Sequence, residues 1–188
     1  MSNHFKHKRM TRNLGFTLVE SLVAISILLV SVAAPLTLVI RSLQLSNYAT
    51  TRMIAGFLAQ DAFEYIRNIK DTNALATPAN AWLTNIDAEC FTIEGCAVDT
   101  TKVIASASSF LPCAAGTCPS LKRSISTYAY NLDPANSVNL ATIFTRKVQI
   151  VDSVNSPGDD KFILVTISWS VGGFSKSITT QTSLRDWH

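Results

Sequence analysis

Five side chains in this sequence have the type and placement to do chemistry: Glu20 and the four cysteines Cys90, Cys96, Cys113 and Cys118. Glu20 is a carboxylate at the threshold of an otherwise apolar run, so it needs either water or a cation. Four cysteines allow three disulfide pairings. Cys90–Cys96 and Cys113–Cys118 are the expected pairs, because each closes a short glycine-containing loop, "CFTIEGC" and "CAAGTC". Zinc is the rival. Its C-x2–4-C spacing occurs only at Cys113 and Cys118, and no histidine lies near. Hydrolytic catalysis lacks its usual base: His4 and His7 precede Gly15, and His188 is the last residue. An ordinary Ser-His-Asp or Cys-His arrangement has no partner on a folded scaffold. No GxxxxGK[ST] phosphate loop is present. Asp159 and Asp160, in the turn "NSPGDD", would bind calcium only with neighbouring carbonyls, and a solvated turn is the simpler reading. No cofactor, no metal and no enzymatic activity are expected.

The element that presents Glu20 is distinctive. From Ser21 to Ile40, "SLVAISILLVSVAAPLTLVI", these 20 residues carry no charge. At ~1.5 Å per residue a helix of that length spans about 30 Å, the hydrocarbon thickness of a bilayer. A cleaved secretory signal has a shorter core and a small-residue cleavage site after it, whereas Arg41 follows here. Lys6, Lys8, Arg9 and Arg12 precede the run with no acid among them. The positive-inside rule therefore keeps the leader cytoplasmic and sends the rest across, into a compartment where disulfides persist. Removing those four from the 16 Lys+Arg leaves 12 against 13 Asp+Glu, so the remainder is nearly neutral. That excludes a strong electrostatic footprint for nucleic acid. Pro35 removes one backbone hydrogen bond inside the span and marks a point of bending or unwinding. Glu20, near the N-terminal end, is eased by snorkelling and by the positive helix terminus.

Beyond Arg41 the helix is expected to continue to about residue 71. Ile54, Phe57, Leu58, Ala62, Tyr65, Ile66 and Ile69 recur at the three–four spacing of one face. Glu64 with Arg67, and Arg67 with Asp71, are spaced for surface ion pairs. "DTNALATPAN", with Pro78, ends the helix. The C-terminal third alternates. Thr142–Val151 and Lys161–Val171 read as strands, the second with Ile163, Val165, Ile167, Trp169 and Val171 on one face. Gly172-Gly173 signals a hairpin, "FSKSITTQTSL" returns as a third strand, and "SISTYAYNL" is a candidate fourth. Trp82, Trp169 and Trp187 are simplest as core or edge residues, with a subunit contact as the other option for Trp187. The expected fold is α+β: a long N-terminal helix packed on an antiparallel sheet of three or four strands.

The residues "GFTLVE", Gly15 to Glu20, followed at once by the long apolar run, resemble the processing motif of type IV prepilins and type II secretion pseudopilins. The resemblance covers roughly the first 40 residues. It implies a pilin-like fold and a cut between Gly15 and Phe16 by prepilin peptidase. It also implies N-methylation of Phe16 by the same enzyme, and assembly with other subunits on an inner-membrane platform. Glu20 then acquires a role: its carboxylate pairs with the new amine of Phe16 on a neighbouring subunit and fixes the register between helices. The run "ESLVAISILLVSV" is more similar to minor subunits than to major ones. On this reading residues 1–15 are a cleaved leader and 16–40 a transmembrane or filament-core helix. Residues 41–71 are its amphipathic half, and 72–188 an extracytoplasmic domain. The chain would sit in the cytoplasmic membrane before assembly and in a filament afterwards. Other readings are a membrane-anchored binding protein that never polymerises and a pseudopilin for DNA uptake.

Overall fold

A computed structural model describes Gly15 and residues 17–76, 81–104, 109–133, 138–153 and 160–185. The chain divides into two compact units, Met1–Tyr48 and Ala49–His188. One helix, α1 (Leu18–Leu75), contributes to both. It contains a single proline, Pro35, and the helical assignment runs through it without a break. The hydroxyls of Ser26, Ser31 and Thr37 donate to the carbonyls of Leu22, Leu28 and Ala34 at 2.7–2.9 Å, so the polar side chains of the apolar half are satisfied by the helix itself.

In the second unit α1 packs on a seven-stranded antiparallel sheet: β1 (Cys96–Val98), β2 (Phe110–Pro112), β3 (Ser120–Arg123), β4 (Tyr130–Asn131), β5 (Leu140–Asp152), β6 (Asp160–Val171) and β7 (Phe174–Arg185). β5 is the spine. β6 pairs along one edge from Phe144 to Asp152, and β7 pairs along the whole of β6. The other edge of β5 is shared, β3 taking its first half and β1 meeting it at Val148. Phe144, Arg146, Val148 and Ile150 of β5 alternate inward with Ile163, Val165, Ile167 and Trp169 of β6. Against them the helix buries Ala55, Leu58, Ala59, Ala62, Tyr65, Ile66 and Ile69. Ala55, Ala59 and Ala62 leave room for the backbones to approach.

The sheet has more strands than the three or four expected. β1 to β4 are two to four residues long and lie in and after the cysteine segment, too short to show alternation. Of "SISTYAYNL", only Tyr130–Asn131 is strand; Ser124 to Tyr128 form the turn before it, closed by Tyr128 N–H on Ser124 O at 3.0 Å. Phe57, expected on the buried face, is 62% exposed, because it lies about 100° around the helix from Leu58. Val171 is also exposed, since β6 runs past the core to the Gly172-Gly173 turn, where both φ angles are positive. Arg67 pairs with Glu64, while Asp71 lies 3.6 Å from Lys70. α1 extends to Leu75, and buried Asn73 donates to the carbonyls of Trp82 and Thr84. Pro78, Asp159 and Trp187 fall outside the described residues.

Of the three possible pairings, the structure has Cys90–Cys96 and Cys113–Cys118. All four cysteines are buried. Ala115 and Gly116, both at positive φ, turn the second loop, with Thr117 N–H donating to Ala114 O at 2.9 Å. In the first loop Gly95 lies flat on β5. An added Cβ would meet Val148 O at 2.7 Å and Gln149 Cγ at 2.8 Å, and its φ of +72° already disfavours other residues. Lys147 Nζ and Gln149 Nε2 both donate to Ile93 O, tying the loop to the sheet face away from the helix.

Candidate functional site

Thr17 sets the start of the helix. Its hydroxyl accepts from Glu20 N–H at 3.2 Å and its carbonyl accepts from Ser21 N–H at 3.2 Å. Thr17 therefore acts as N-cap, satisfying one of the amides a helix start leaves open. Glu20 lies in the first turn with its side chain exposed. A carboxylate there lies at the positive end of the helix dipole. Sequence reasoning overlooked Thr17, although the signal was present. Thr17 to Glu20 is the T-x-x-E spacing of a capping box.

Gly15 is exposed, and a Cβ built on it meets nothing within 4 Å. Among the described residues nothing gives a steric reason for glycine there. Phe16 lies outside the described residues. The structure thus places Gly15 and Glu20 on either side of the Thr17 cap.

Downstream, the apolar half of α1 is bare. Leu22, Ile25, Ile27, Leu29, Val32, Leu36 and Leu38 are each more than half exposed. α1 is long and apolar enough to cross a bilayer, and none of its most apolar window is buried by the rest of the chain. Isolated surface leucines are ordinary, but a contiguous stripe over five turns is surface meant to be covered. Lipid or other helices can do so without leaving a backbone group unpaired, because the backbone bonds are internal.

Two further sequence candidates resolve differently. Asp160, weighed for calcium, accepts both Arg185 Nε at 2.8 Å and Arg185 Nη2 at 3.2 Å, and these bonds hold its carboxyl below the usual range. No group of three or more His, Cys, Asp or Glu among the described residues is placed to hold a metal ion. The cysteines are consumed as disulfides.

A family model, the prokaryotic N-terminal methylation motif, matches residues 10–34. That span runs from the end of the basic leader through Gly15, Phe16, Thr17 and Glu20 into the apolar helix. Neither a curated protein nor a solved structure matches the chain significantly. The bare apolar helix, its capped start and the matched segment agree, and the chain carries the prepilin-type N-terminal methylation signature.

Proposed function

We propose that the chain is a structural, non-enzymatic minor subunit of a type IV pilus or a type II secretion pseudopilus. The observation that carries this is the uncovered apolar helix with Glu20 in its first turn, inside the methylation motif. Prepilin peptidase cuts between Gly15 and Phe16 and methylates the new amine of Phe16. Exposed Gly15 suits this, since a residue without a side chain serves an enzyme that must reach the backbone. Before the cut the leader stays cytoplasmic and the helix anchors the chain in the cytoplasmic membrane. Afterwards the subunit leaves on the assembly platform and joins a filament.

In the filament the apolar halves of α1 bundle and exclude water. An unpaired amine or carboxylate would be costly there. Pairing Phe16 of one subunit with Glu20 of its neighbour removes both costs and fixes the register, since other offsets leave charges alone. Thr17 contributes by holding the first turn in shape, which keeps Glu20 at a defined distance from the new terminus.

Mass spectrometry of the mature chain tests the processing step: N-methylated Phe16 is the expected first residue, and retention of residues 1–15 would end the proposal. Glu20→Ala tests the register. Cleavage is expected to persist while incorporation into sheared filaments is lost; normal incorporation would remove the ion-pair role.

A further inference from the structure

The second unit has a groove of about 430 Å³ beside α1, with Ile54, Phe57, Leu58 and Asp61 on the helix side and Thr100 and Tyr130 opposite. Among the described residues that line it, Asp61 alone is charged. Its Oδ2 accepts from Arg146 Nη1 at 3.0 Å and from the Thr100 hydroxyl, yet the side chain remains 50% exposed.

Behind it lies a buried network of charged and polar groups. Arg146 is fully buried and also donates to the carbonyls of Leu58 and Val98 at 3.1 and 2.6 Å. Burial pulls its proton affinity down, while Asp61 and Asp99 hold it up. Asp99 is buried too, its oxygens taken by the Thr101 amide and hydroxyl and by the Leu132 amide. Arg146 thus pairs with Asp61, and Asp61 is the carboxylate that reaches the groove.

The exposed side of Asp61 can take a second cation from outside the chain. An exposed ion pair alone contributes little, so the occupant must also cover apolar surface. Ile54, Leu58 and the exposed ring of Phe57 offer that surface to the methylene stem of a long basic side chain. We propose that the groove receives a lysine or arginine from a neighbouring pilin-like subunit, its charge on Asp61 and its stem along Ile54, Phe57 and Leu58. The inference rests on the filament reading above and adds to it a contact between folded domains.

The test uses the full chain in filament-producing cells. Asp61→Asn removes the charge and keeps the shape; Phe57→Lys places a cation on the rim at a site outside the core. Each is expected to lower the chain recovered in sheared filaments by about tenfold. Its level in the membrane and the oxidation of its cysteines should not change, and Phe57→Leu should assemble normally. If Asp61→Asn lowers the membrane level, Phe57→Lys carries the test. A photoreactive phenylalanine at position 57 is expected to crosslink within a few residues of a Lys or Arg on another filament subunit. Wild-type assembly of Phe57→Lys would overturn the proposal. So would a crosslink to lipid, to a protein outside the filament or to a segment without a basic residue. Absence of the wild-type chain from filaments would instead overturn the filament reading itself.

Discussion

Ile27 and Ile66 stand on the same helix, and the chain treats them in opposite ways. Ile27 is 64% exposed, whereas Ile66 is fully buried beneath the sheet. The first half of α1 carries apolar residues on every side, and among the described residues none of its most apolar window is buried. The second half has a narrow stripe of apolar residues, buried in the core with the sheet. Length and backbone hydrogen bonding are shared, so neither explains the contrast. What differs is where the cover comes from. The second half is folded by its own domain; the first depends on an environment the chain does not supply.

Arg146 provides the largest expected break in that comparison. It is a buried cation holding two carbonyls and Asp61, so Arg146→Ala leaves unpaired acceptors, a cavity and an excess of negative charge. A loss of about 3–5 kcal/mol is expected, read from denaturant unfolding of the detergent-solubilised chain through Trp169 fluorescence. Arg41→Ala, on the exposed first half, should stay within about 0.5 kcal/mol by the same measurement. Equal losses would mean that the first half is also folded against its own chain.

Aliphatic truncation sharpens the point. Ile66→Ala removes a buried side chain from the helix–sheet interface and should cost about 2–5 kcal/mol of unfolding free energy. Ile27→Ala should leave that free energy unchanged. Its effect should fall on membrane retention, measured by alkaline extraction, because about 0.8 kcal/mol of burial is lost per CH2 removed from lipid.

The same contrast explains what could be read from the residues. The bare helix was legible because an unbroken apolar run needs no partner to identify it. β5 and β6 were legible because long strands buried on one face alternate, and the largely exposed β7 because Gly172-Gly173 can turn where other residues strain. The stripe on α1 was legible at Leu58, Ala62, Tyr65, Ile66 and Ile69, but Phe57 was misplaced. Ala55 and Ala59, buried on the same face, are too weakly apolar to stand out in the pattern. β1 to β4 left no periodic trace, being held by pairing across long sequence separations and by the two disulfides. Arg146 gave no signal at all: an arginine in an alternating strand reads as outward-facing until Asp61, 85 positions earlier, is seen beside it. At the processing site the reverse held. The residues of "GFTLVE" carry both the resemblance and the T-x-x-E spacing of the Thr17 cap, which the coordinates then display.

The cysteine loops give a smaller effect. Cys90–Cys96 and Cys113–Cys118 span sequence separations of 6 and 5. Closing loops that short removes little chain entropy, so replacing either pair with serine should cost about 2 kcal/mol. The first pair carries an added load, because its loop presses Gly95 against β5. Cys90→Ser with Cys96→Ser should therefore also raise amide exchange at Gly95 and Ile93, whereas the second pair should act only within its own turn.

The smallest effect returns to the first half of the helix. Thr17→Ala removes the acceptor of the Glu20 amide and should cost about 1 kcal/mol, all of it local to the first turn. Hydrogen exchange should quicken at Glu20 and stay unchanged at Ile66. Thr17→Ser keeps the acceptor and should restore protection. Global unfolding should not register either change, because the cap acts within the first turn, in the first compact unit. A frayed first turn would nevertheless release Glu20 from its fixed distance to the terminus. Thr17→Ala should then assemble less efficiently than its stability predicts, with cleavage intact. If exchange quickens and assembly is unaffected, the first turn is ordered by the neighbouring helices, and the cap matters only before they arrive.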